Sequence, residues 1–432
     1  MDFVLEKDPT FRRRQGALKR LANASGWADT EYHWFSRLLR NFAKSQHKLR
    51  LRAEAGRVHE AYRLQDHTLN SLAAAVSVTL DRVVPRCRDK QPVPLSPSDL
   101  EKKARAIRPT RRIFGHARAL KKSKADGSHR IVLSPDWKIR AAQDLVSEVL
   151  ECWGLTSPFD FNVSGRGHTA AVLEVKRQIV EDGARHFVQF DCKNHFSSVK
   201  PPHLKGLPIP RQVTMHTAFY NGRVILLHPS MGAVEVKAAR QGLPAGARLS
   251  GTLAATLLGR EIRNLCGEMG KPVMFVDDVI IGGCDPSGAK YLAEALEDWF
   301  SHHPGGPLNF KFIRVVSACE GFEFLGYWIR LVPGQEIGQK VILQPSHQAK
   351  SRFRQRLFEK LGNLGKKSSH DDLLARATTY LENWRASFPL WEPSEAQLAI
   401  LGDEVYCWVF DWLSGMTKKF PIGKTLSGVP VG

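Results

Sequence analysis

Apolar residues recur at helical spacing near the start of the chain. Between residues 34 and 42 they occupy every third or fourth position, a period typical of an amphipathic helix. The apolar positions are Trp34, Phe35, Leu38, Leu39 and Phe42. Arg37, Arg40 and Lys44 alternate with them, so the predicted helix has one apolar and one basic face. The basic face can contact phosphate groups, although a solvated surface helix fits the same pattern.

The middle of the chain combines short apolar runs with one longer helical pattern. Residues 130–133 and 186–190 predict strands, and the second of these ends at Asp191. Residues 138–153 predict an amphipathic helix between them. A Pro-containing stretch at residues 84–97 predicts a linker after the N-terminal helices. From about residue 345 the pattern is helical and basic again.

Two adjacent aspartates interrupt an apolar stretch further along. Residues 273–276 and 279–281 predict the strands of a hairpin with Asp277 and Asp278 at its tip. Asp-Asp suits a tight two-residue turn poorly, because such turns favour Gly or Asn at positive φ. Adjacent carboxylates also repel each other unless a cation lies between them. The pair is therefore a candidate for chemistry.

Asp191 ends a separate strand upstream of this hairpin. If the strands are neighbours in one antiparallel sheet, Asp191 and Asp277 meet at the same end of it. Converging carboxylates bind Mg²⁺, which prefers oxygen ligands. Two such ions can activate an attacking hydroxyl and stabilise a leaving pyrophosphate, which is the chemistry of nucleotidyl transfer.

The charge balance favours a polyanionic partner. The 432 residues include 63 Lys and Arg against 43 Asp and Glu, a formal net charge of +20. An excess of this size is typical of proteins that bind nucleic acid. Hydrophobic residues make up 43% of the chain, which excludes a wholly disordered protein.

Cysteine usage and hydropathy predict a cytoplasmic location. The seven cysteines form no Cys-x-x-Cys pair, which indicates reduced thiols and argues against structural zinc. No run approaches the roughly 18 apolar residues of a membrane span. The first residues lack the form of a secretory signal. We therefore expect no membrane partner.

Several segments, taken in order, resemble the motifs of reverse transcriptases. Phe190-Asp191-Cys192 is similar to their first catalytic motif, and residues 275–278 resemble their aromatic-x-Asp-Asp box. Between the two, residues 241–244 read Gln-Gly-Leu-Pro, which is similar to the Gln-Gly-x-Pro motif. Weaker similarities, to the finger motifs of group II intron and retron proteins and to the primer grip, occur at residues 130–132, 140–144, 165–168, 308–309 and 321–327.

The resemblance implies a catalytic and metal-binding set. Asp191, Asp277 and Asp278 would be the catalytic carboxylates and would hold two Mg²⁺ ions, with Mn²⁺ as an alternative metal. The backbone carbonyl of Cys192 would add a metal ligand.

It also implies a nucleotide-binding set. Phe196 falls at the steric gate of the family, where a bulky ring excludes a ribose 2′-hydroxyl; a core Phe at a strand end is the structural alternative. Gln241 and Gly242 would pack against the incoming nucleotide. Arg130 is the first candidate for the triphosphate, because an Arg fork matches phosphate oxygens, and Arg140 and Lys138 are the alternatives.

Three departures from the family pattern stand out. Phe275 replaces the usual Tyr of the Asp-Asp box, and Gly246-Ala247 follows the Gln-Gly motif where Ser-Pro is usual. Lys311 lies one position away from the motif lysine that protonates pyrophosphate, so we do not assign it that role. None of these changes removes a metal ligand.

The resemblance implies an α/β (α+β) fold, that of a right-hand polymerase. A basic helical N-terminal extension would occupy residues 1–95, the fingers 96–185, and the palm, with its antiparallel sheet, 186–335. Residues 197–240 would belong partly to the fingers, and a helical thumb and C-terminal tail would occupy 336–432.

Within the retron and group II intron-like branch, the chain most resembles the bacterial defence-associated enzymes. Residues after 330 show no pattern of the intron proteins' nuclease module, and an extension precedes the motifs. The resemblance implies an RNA-directed DNA polymerase that copies a dedicated structured non-coding RNA in anti-phage defence. Deoxynucleoside triphosphates and a DNA primer and product would be its other partners, and residues 11–63 and the thumb would dock the RNA. A homo-oligomer is left open.

Two other functions fit the same residues. One is a non-catalytic, maturase-like RNA-binding protein, against which the intact Asp191, Asp277 and Asp278 argue. The other is a polymerase that works without a template or primes on a protein hydroxyl, for which Gly246-Ala247 is the one hint.

Overall fold

The computed structural model describes residues 7–85, 90–111, 113, 115–123, 129–163, 165–219, 224–229, 231–267, 270–333, 339–364 and 370–413. The predicted C-terminal tail beyond residue 413 lies outside this part of the chain. Contacts divide the chain into two units. The first comprises Met1–Val163, Val188–Ile281 and Pro286–Val315, and the second comprises Ser164–Phe187, Gly282–Asp285 and Val316–Gly432.

The first unit begins with five helices. They are α1 (Pro9–Ser25), α2 (Asp29–Glu54), α3 (Val58–Asn70), α4 (Leu72–Val83) and α5 (Pro97–Arg105). Local sequence signals set their ends: Asp8 accepts a hydrogen bond of 2.7 Å from the Thr10 amide at the start of α1, and Ser71 caps α4. The predicted apolar stripe of α2 is confirmed, since Phe35, Leu39 and Phe42 are buried.

A small sheet and a buried helix follow. Strand β1 (His116–Ser123) pairs antiparallel with β2 (His129–Pro135) and parallel with β4 (Val224–Leu226). Helix α6 (Trp137–Glu151) follows β2 directly. The prediction of an amphipathic helix here was wrong in one respect: every residue from Ala141 to Leu150 is buried. The polar side of α6 is covered because the N-terminal helix α4 packs against it.

A second sheet of four strands forms the centre of this unit. Its strands are β3 (His186–Cys192), β5 (Lys271–Phe275), β6 (Asp278–Cys284) and β7 (Phe310–Ser317), in the order β5-β6-β3-β7. Phe190 on β3 packs against Phe300 and Phe310 beneath the sheet. The remaining helices of the unit are α8 (His195–Ser198), a 3₁₀ turn (Pro201–Leu204), α9 (Arg211–Thr217), α10 (Ala233–Ala239), α11 (Arg248–Cys266) and α12 (Pro286–Ser301).

The second unit contains a three-stranded sheet and helices. Helix α7 (His168–Val180) belongs to it, with β8 (Phe322–Phe324), β9 (Tyr327–Pro333) and β10 (Gln339–Pro345) in the order β10-β9-β8. Helices α13 (His347–Leu364), α14 (His370–Ala386) and α15 (Glu395–Leu413) follow. They share a core in which Phe353 stacks on Tyr380 and Trp384.

Hydropathy gives no membrane-spanning element in the described ranges, where every helix is too short or too polar to cross a bilayer.

Candidate active site

Three aspartates lie at one region of the four-stranded sheet. Asp191 is near the end of β3, Asp278 is the first residue of β6, and these two strands are neighbours. Asp277 occupies the turn before β6. The charge of Asp277 acts on the pKa values of Asp191, Cys192 and His195, so its carboxylate is close to all three. The fold therefore brings Asp191 and Asp277 together.

The turn that carries Asp277 is strained. It consists of Val276 and Asp277, whereas the sequence analysis put Asp277 and Asp278 at the tip, so that prediction was wrong by one residue. The reason is conformational: Val276 takes the positive φ, at 63°. A β-branched residue rarely adopts this region, and holding it there costs on the order of 1–3 kcal/mol. The pairing of β5 and β6 must compensate for this cost. The same turn determines where Asp277 lies.

Lys311 on β7 is the cation nearest to Asp191. Its Nζ lies 3.1 Å from Asp191 Oδ2, and β7 is the neighbour of β3. Burial raises the pKa of the Asp191 carboxyl, the hydrogen bond from Lys311 lowers it in part, and the charge of Asp277 raises it again. Sequence reasoning set Lys311 aside because it is displaced by one position in its motif. The register of β7 against β3, which no local pattern reveals, brings it to the carboxylate.

Cys192 and His195 complete the surroundings of the aspartates. Burial, reinforced by the charges of Asp277 and Asp191, raises the pKa of the Cys192 thiol, so its sulfur stays protonated and is a poor metal ligand. This leaves its backbone carbonyl as the predicted ligand. Burial lowers the pKa of His195, which therefore stays neutral beside Asp277 and the backbone of Ala254. Sequence reasoning missed His195, because an isolated His in a short helix gives no signal.

A second cluster contains three of the predicted nucleotide-binding residues. Phe196 lies in the short helix α8 and is only partly buried, which argues against a core role. The guanidinium carbon of Arg130 lies 5.5 Å from the centre of the Phe196 ring. The Leu243 amide donates a hydrogen bond of 2.7 Å to the Phe196 carbonyl. Gly242 is required at this contact, since a Cβ there would lie 2.4 Å from the Ser197 carbonyl oxygen.

The other candidates for the triphosphate are engaged elsewhere. Arg140 Nε donates a hydrogen bond of 2.8 Å to the Pro135 carbonyl, and its Nη2 contacts Ser134. The Lys138 ammonium lies 5.9 Å from the centre of the neighbouring Trp137 ring. Gln241 is exposed at the end of α10, without a described contact to the cluster. Arg130 therefore fits the triphosphate role best among the three cations.

Gly246, where the family usually has Ser, has a packing role. Its φ is 92°, and a Cβ at this position would lie 2.8 Å from a methyl carbon of Val132 on β2. The loop of residues 241–247 can approach β2 this closely because Gly246 has no side chain. This departure from the family pattern thus has a local structural reason.

Two further motif segments meet within the second unit. Residues 322–333 form the β8–β9 hairpin, in which Phe324 pairs with Tyr327. Its two turn residues, Leu325 and Gly326, have φ values of 48° and 80°, as a tight hairpin turn requires. His168 Nε2 lies 2.7 Å from the Leu325 carbonyl oxygen, so residues 165–168 adjoin the segment that resembles a primer grip.

Residues 120–329 match the family model described as reverse transcriptase (RNA-dependent DNA polymerase). This part of the chain is therefore similar to a reverse transcriptase domain. The matched range includes the three aspartates, Lys311, and the cluster of Arg130, Phe196 and Gly242. The activity that describes this family, RNA-directed DNA synthesis, is a nucleotidyl transfer.

Solved structures give a weaker likeness. Telomerase from Candida albicans in complex with the TWJ fragment of telomeric RNA matches at 10% identity and a TM-score of 0.35, over 72% of this chain and 60% of that one. Apo telomerase from Candida tropicalis, truncated from the C-terminal domain, matches at 12% identity and a TM-score of 0.34, over 51% and 54%. The chain thus spans little more than half of these proteins. No curated protein sequence matches it.

Reverse transcriptases use divalent metal ions, and the donor set of this domain fits them. Among the described residues, no three His, Cys, Asp or Glu side chains are already arranged as a metal-binding group. Mg²⁺ needs fewer protein side chains than three, because it is usually bound by one or two carboxylates together with substrate phosphates. Asp191 and Asp277 would be the carboxylates that hold such an ion, and Asp278 is adjacent in sequence.

We expect the substitution Asp191→Asn to stabilise the metal-free protein at neutral pH. The pKa of Asp191 is higher in the folded than in the unfolded chain, so stability is lost as pH rises through that pKa window. The amide that replaces the carboxyl cannot ionise, so the variant keeps this stability. The difference from wild type should vanish at about pH 3, where the Asp191 carboxyl is protonated in both states.

Thermal unfolding in the presence of a chelator, at neutral and acid pH, measures this difference. Asp298→Asn, an exposed carboxylate on α12, is the matched control and should change little at either pH. A destabilised Asp191→Asn protein at neutral pH would contradict the assigned direction.

Proposed function

We propose that this chain synthesises DNA on an RNA template by two-metal-ion nucleotidyl transfer. The observation that carries the proposal is the convergence of Asp191 and Asp277 at neighbouring strands of a reverse transcriptase domain. A cluster of Arg130, Phe196 and Gly242 in the same unit supports a nucleotide substrate. Fingers, palm and thumb would correspond to the predicted ranges 96–185, 186–335 and 336–432.

The proposed mechanism assigns a task to each group. Asp191 and Asp277 would hold the divalent ions, which supply charge neutralisation at the triphosphate and activation of the primer hydroxyl. The strained turn at Val276 would keep Asp277 directed at that point. Arg130 would bind the triphosphate through its fork of N–H donors. Lys311 would balance the charge of Asp191 between catalytic cycles, since its Nζ already contacts that carboxylate.

Phe196 would select deoxynucleotides. The Arg130 guanidinium lies over its ring, and the Leu243 amide holds its backbone through a hydrogen bond to the Phe196 carbonyl. A ring fixed in this way excludes the 2′-hydroxyl of a ribonucleotide by direct collision.

The preferred docking surface for the RNA would be on the N-terminal helices. On α2, His33, Arg37, Arg40, Lys44 and Lys48 follow one another at intervals of three or four residues and so share one face. This basic face of α2 is opposite the buried side chains of Phe35, Leu39 and Phe42. It extends over roughly 20 Å, at 1.5 Å per residue. Such a row of cations suits the phosphates of a structured RNA.

Three other cations of the predicted RNA dock have internal partners. Arg14 of the 11–63 segment is buried in ion pairs with Asp81 and Glu148. On α13, Arg354 stacks on Phe358 and Trp408. Lys360 lies over the Tyr380 ring. The basic face of α2 is therefore the stronger candidate for the dock.

We place this activity, as part of the proposal, in bacterial anti-phage defence in the cytoplasm. The support is the sequence resemblance to the defence-associated branch, together with the five N-terminal helices that precede the matched domain. A dedicated non-coding RNA would then be both partner and template.

The test is to purify the chain from its native host and to sequence the bound RNA and the DNA made on adding deoxynucleotides with Mg²⁺. One discrete RNA with complementary DNA is the expected result. Homopolymeric or protein-linked DNA would replace the templated mechanism with the alternative polymerase. Bound RNA without any DNA would favour the non-catalytic RNA-binding protein.

Asp277→Asn should reduce DNA synthesis by more than about a hundredfold while RNA affinity is retained, because the metal-binding carboxylate is lost and the shape is kept. Primer extension and filter binding measure the two quantities. Glu297→Gln, an exposed carboxyl on α12, is the control and should leave both unchanged. Loss of RNA binding in Asp277→Asn would mean that the turn has a structural role only.

Phe196→Ala should admit ribonucleotides. We expect kcat/KM for a ribonucleotide to rise relative to the matching deoxynucleotide by roughly tenfold or more, since the colliding ring is gone. Single-nucleotide addition with each substrate measures the ratio. Phe196→Tyr, which keeps the ring, should preserve discrimination, and an unchanged ratio in Phe196→Ala would remove Phe196 from the site.

The triple variant Arg37→Gln/Arg40→Gln/Lys48→Gln should weaken RNA binding and flatten its salt dependence. Three lost phosphate contacts reduce the slope of log K against log salt by about two to three. A control with equal charge change, Arg12→Gln/Arg57→Gln/Arg63→Gln, alters exposed cations off this face and should reduce the slope less. Equal slopes for the two variants would contradict a dock on α2.

A further inference from the structure

Helix α6 carries three carboxylates on one face. Asp144, Glu148 and Glu151 are spaced four and three residues apart, and Asp144 and Glu148 are only 4% and 6% exposed. Like charges at this spacing repel one another on a helix. Buried carboxylates also need partners, because their desolvation is costly. The partners come from three other helices.

Arg14 on α1 is the central partner. Its Nη2 lies 2.6 Å from Glu148 Oε1 and its Nη1 3.0 Å from Glu148 Oε2, a two-pronged contact. The same guanidinium donates to Asp81 on α4, with Nη2 2.7 Å from Oδ2. Arg14 is itself 3% exposed. The N-terminal helices are thereby joined to α6 through a buried charge.

Arg248 on α11 contacts the other end of the same carboxylate row. Its Nη2 lies 2.8 Å from Glu151 Oε1, and its Nη1 lies 3.7 Å from Glu148 Oε1. Arg82 on α4 pairs with Asp144. Including Arg13, which contacts Asp81 at 3.0 Å, four arginines face four carboxylates. The cluster is therefore balanced in charge, with Glu148 shared between Arg14 and Arg248.

Arg248 also marks the end of the nucleotide-binding loop. It is the first residue of α11 and follows Ala247 directly, so its position sets where the loop of residues 241–247 returns to the body of the protein. At its other end, the loop contacts Phe196 through Gly242 and Leu243. A displacement of Arg248 would move residues 241–247 and so change the contact that Gly242 and Leu243 make with Phe196.

We propose that Arg14, Glu148 and Arg248 are positioning residues for the nucleotide-binding loop, so that the N-terminal helices help to set the nucleotide site. Arg14 holds Glu148, Glu148 and Glu151 hold Arg248, and Arg248 holds the loop. The N-terminal extension therefore contributes to nucleotide addition itself, apart from any RNA that it binds. This inference rests on the proposed function, because its readout is nucleotide addition.

A double-mutant cycle on the full chain tests the proposal, with single-nucleotide addition to a DNA primer annealed to RNA as the assay. Arg14→Gln and Arg248→Gln should each raise KM for the deoxynucleotide roughly tenfold, with kcat changed less than about twofold. The double variant should raise KM no further than the stronger single variant, because both act through Glu148. Arg248→Lys, which keeps the charge, should restore much of the affinity.

Arg13→Gln is the matched control. Arg13 is half-exposed and pairs with Asp81, but it contacts neither Glu148 nor Glu151. The KM of the Arg13→Gln variant should therefore equal that of wild type. A substitution of Gln46 on α2 is a milder change to the same cluster. Gln46 Nε2 donates a hydrogen bond of 3.1 Å to Glu148 Oε2, and removing it leaves the ion pairs in place. If Arg14→Gln does not fold, Gln46→Met takes its place in the cycle, with an expected rise in KM of about two- to threefold.

Two results would overturn the proposal in an active enzyme: an unchanged KM in folded Arg248→Gln, or effects of the two single variants that multiply in the double variant. A lower melting temperature without a change in KM would make the cluster purely structural. No nucleotide addition by wild type would overturn the proposed function, and this inference with it.

Discussion

The burial of the Asp191 carboxyl beside the charge of Asp277 is the constraint on which the candidate site depends. Two carboxylates held together at the end of a sheet are unfavourable until cations offset their charge. The fold maintains the arrangement with a valine at positive φ before Asp277 and with the Lys311 ammonium 3.1 Å from Asp191. Under the proposed function, the stability given up at this point would favour binding of metal and triphosphate.

Neighbouring carboxylates also repel one another on helix α6, and there the repulsion is offset in a different way. On α6, three carboxylates meet arginines from α1, α4 and α11, and the cluster is neutral as a whole. At Asp191 and Asp277, the ion pair within the described residues is that of Lys311 with Asp191. A closed cluster gives rigidity, and an open one gives affinity for a ligand that brings the missing charge.

Sequence reasoning found the parts of the fold that local patterns encode. The strand that carries Asp191 and the apolar stripe of α2 follow from periodicity. Sequence reasoning could not predict contacts between segments that are far apart in the chain. Lys311 reaches Asp191 only because β7 lies beside β3, and the polar face of α6 is buried only because distant arginines match it. The one-residue error at Val276 arose because a strained φ contradicts residue preference.

The burial of α6 limits how this chain can be divided. The family match begins at residue 120, which would suggest that residues 120–329 could be excised as a minimal enzyme. That fragment would lack α1 and α4, and with them the arginines that neutralise Asp144 and Glu148. Asp144 would then lose its partner Arg82, and Glu148 would keep Arg248, 3.7 Å away, but lose Arg14. Under-compensated buried carboxylates beside a newly exposed apolar surface favour misfolding and aggregation. We therefore expect a stable fragment of this chain to include the N-terminal helices together with the matched domain.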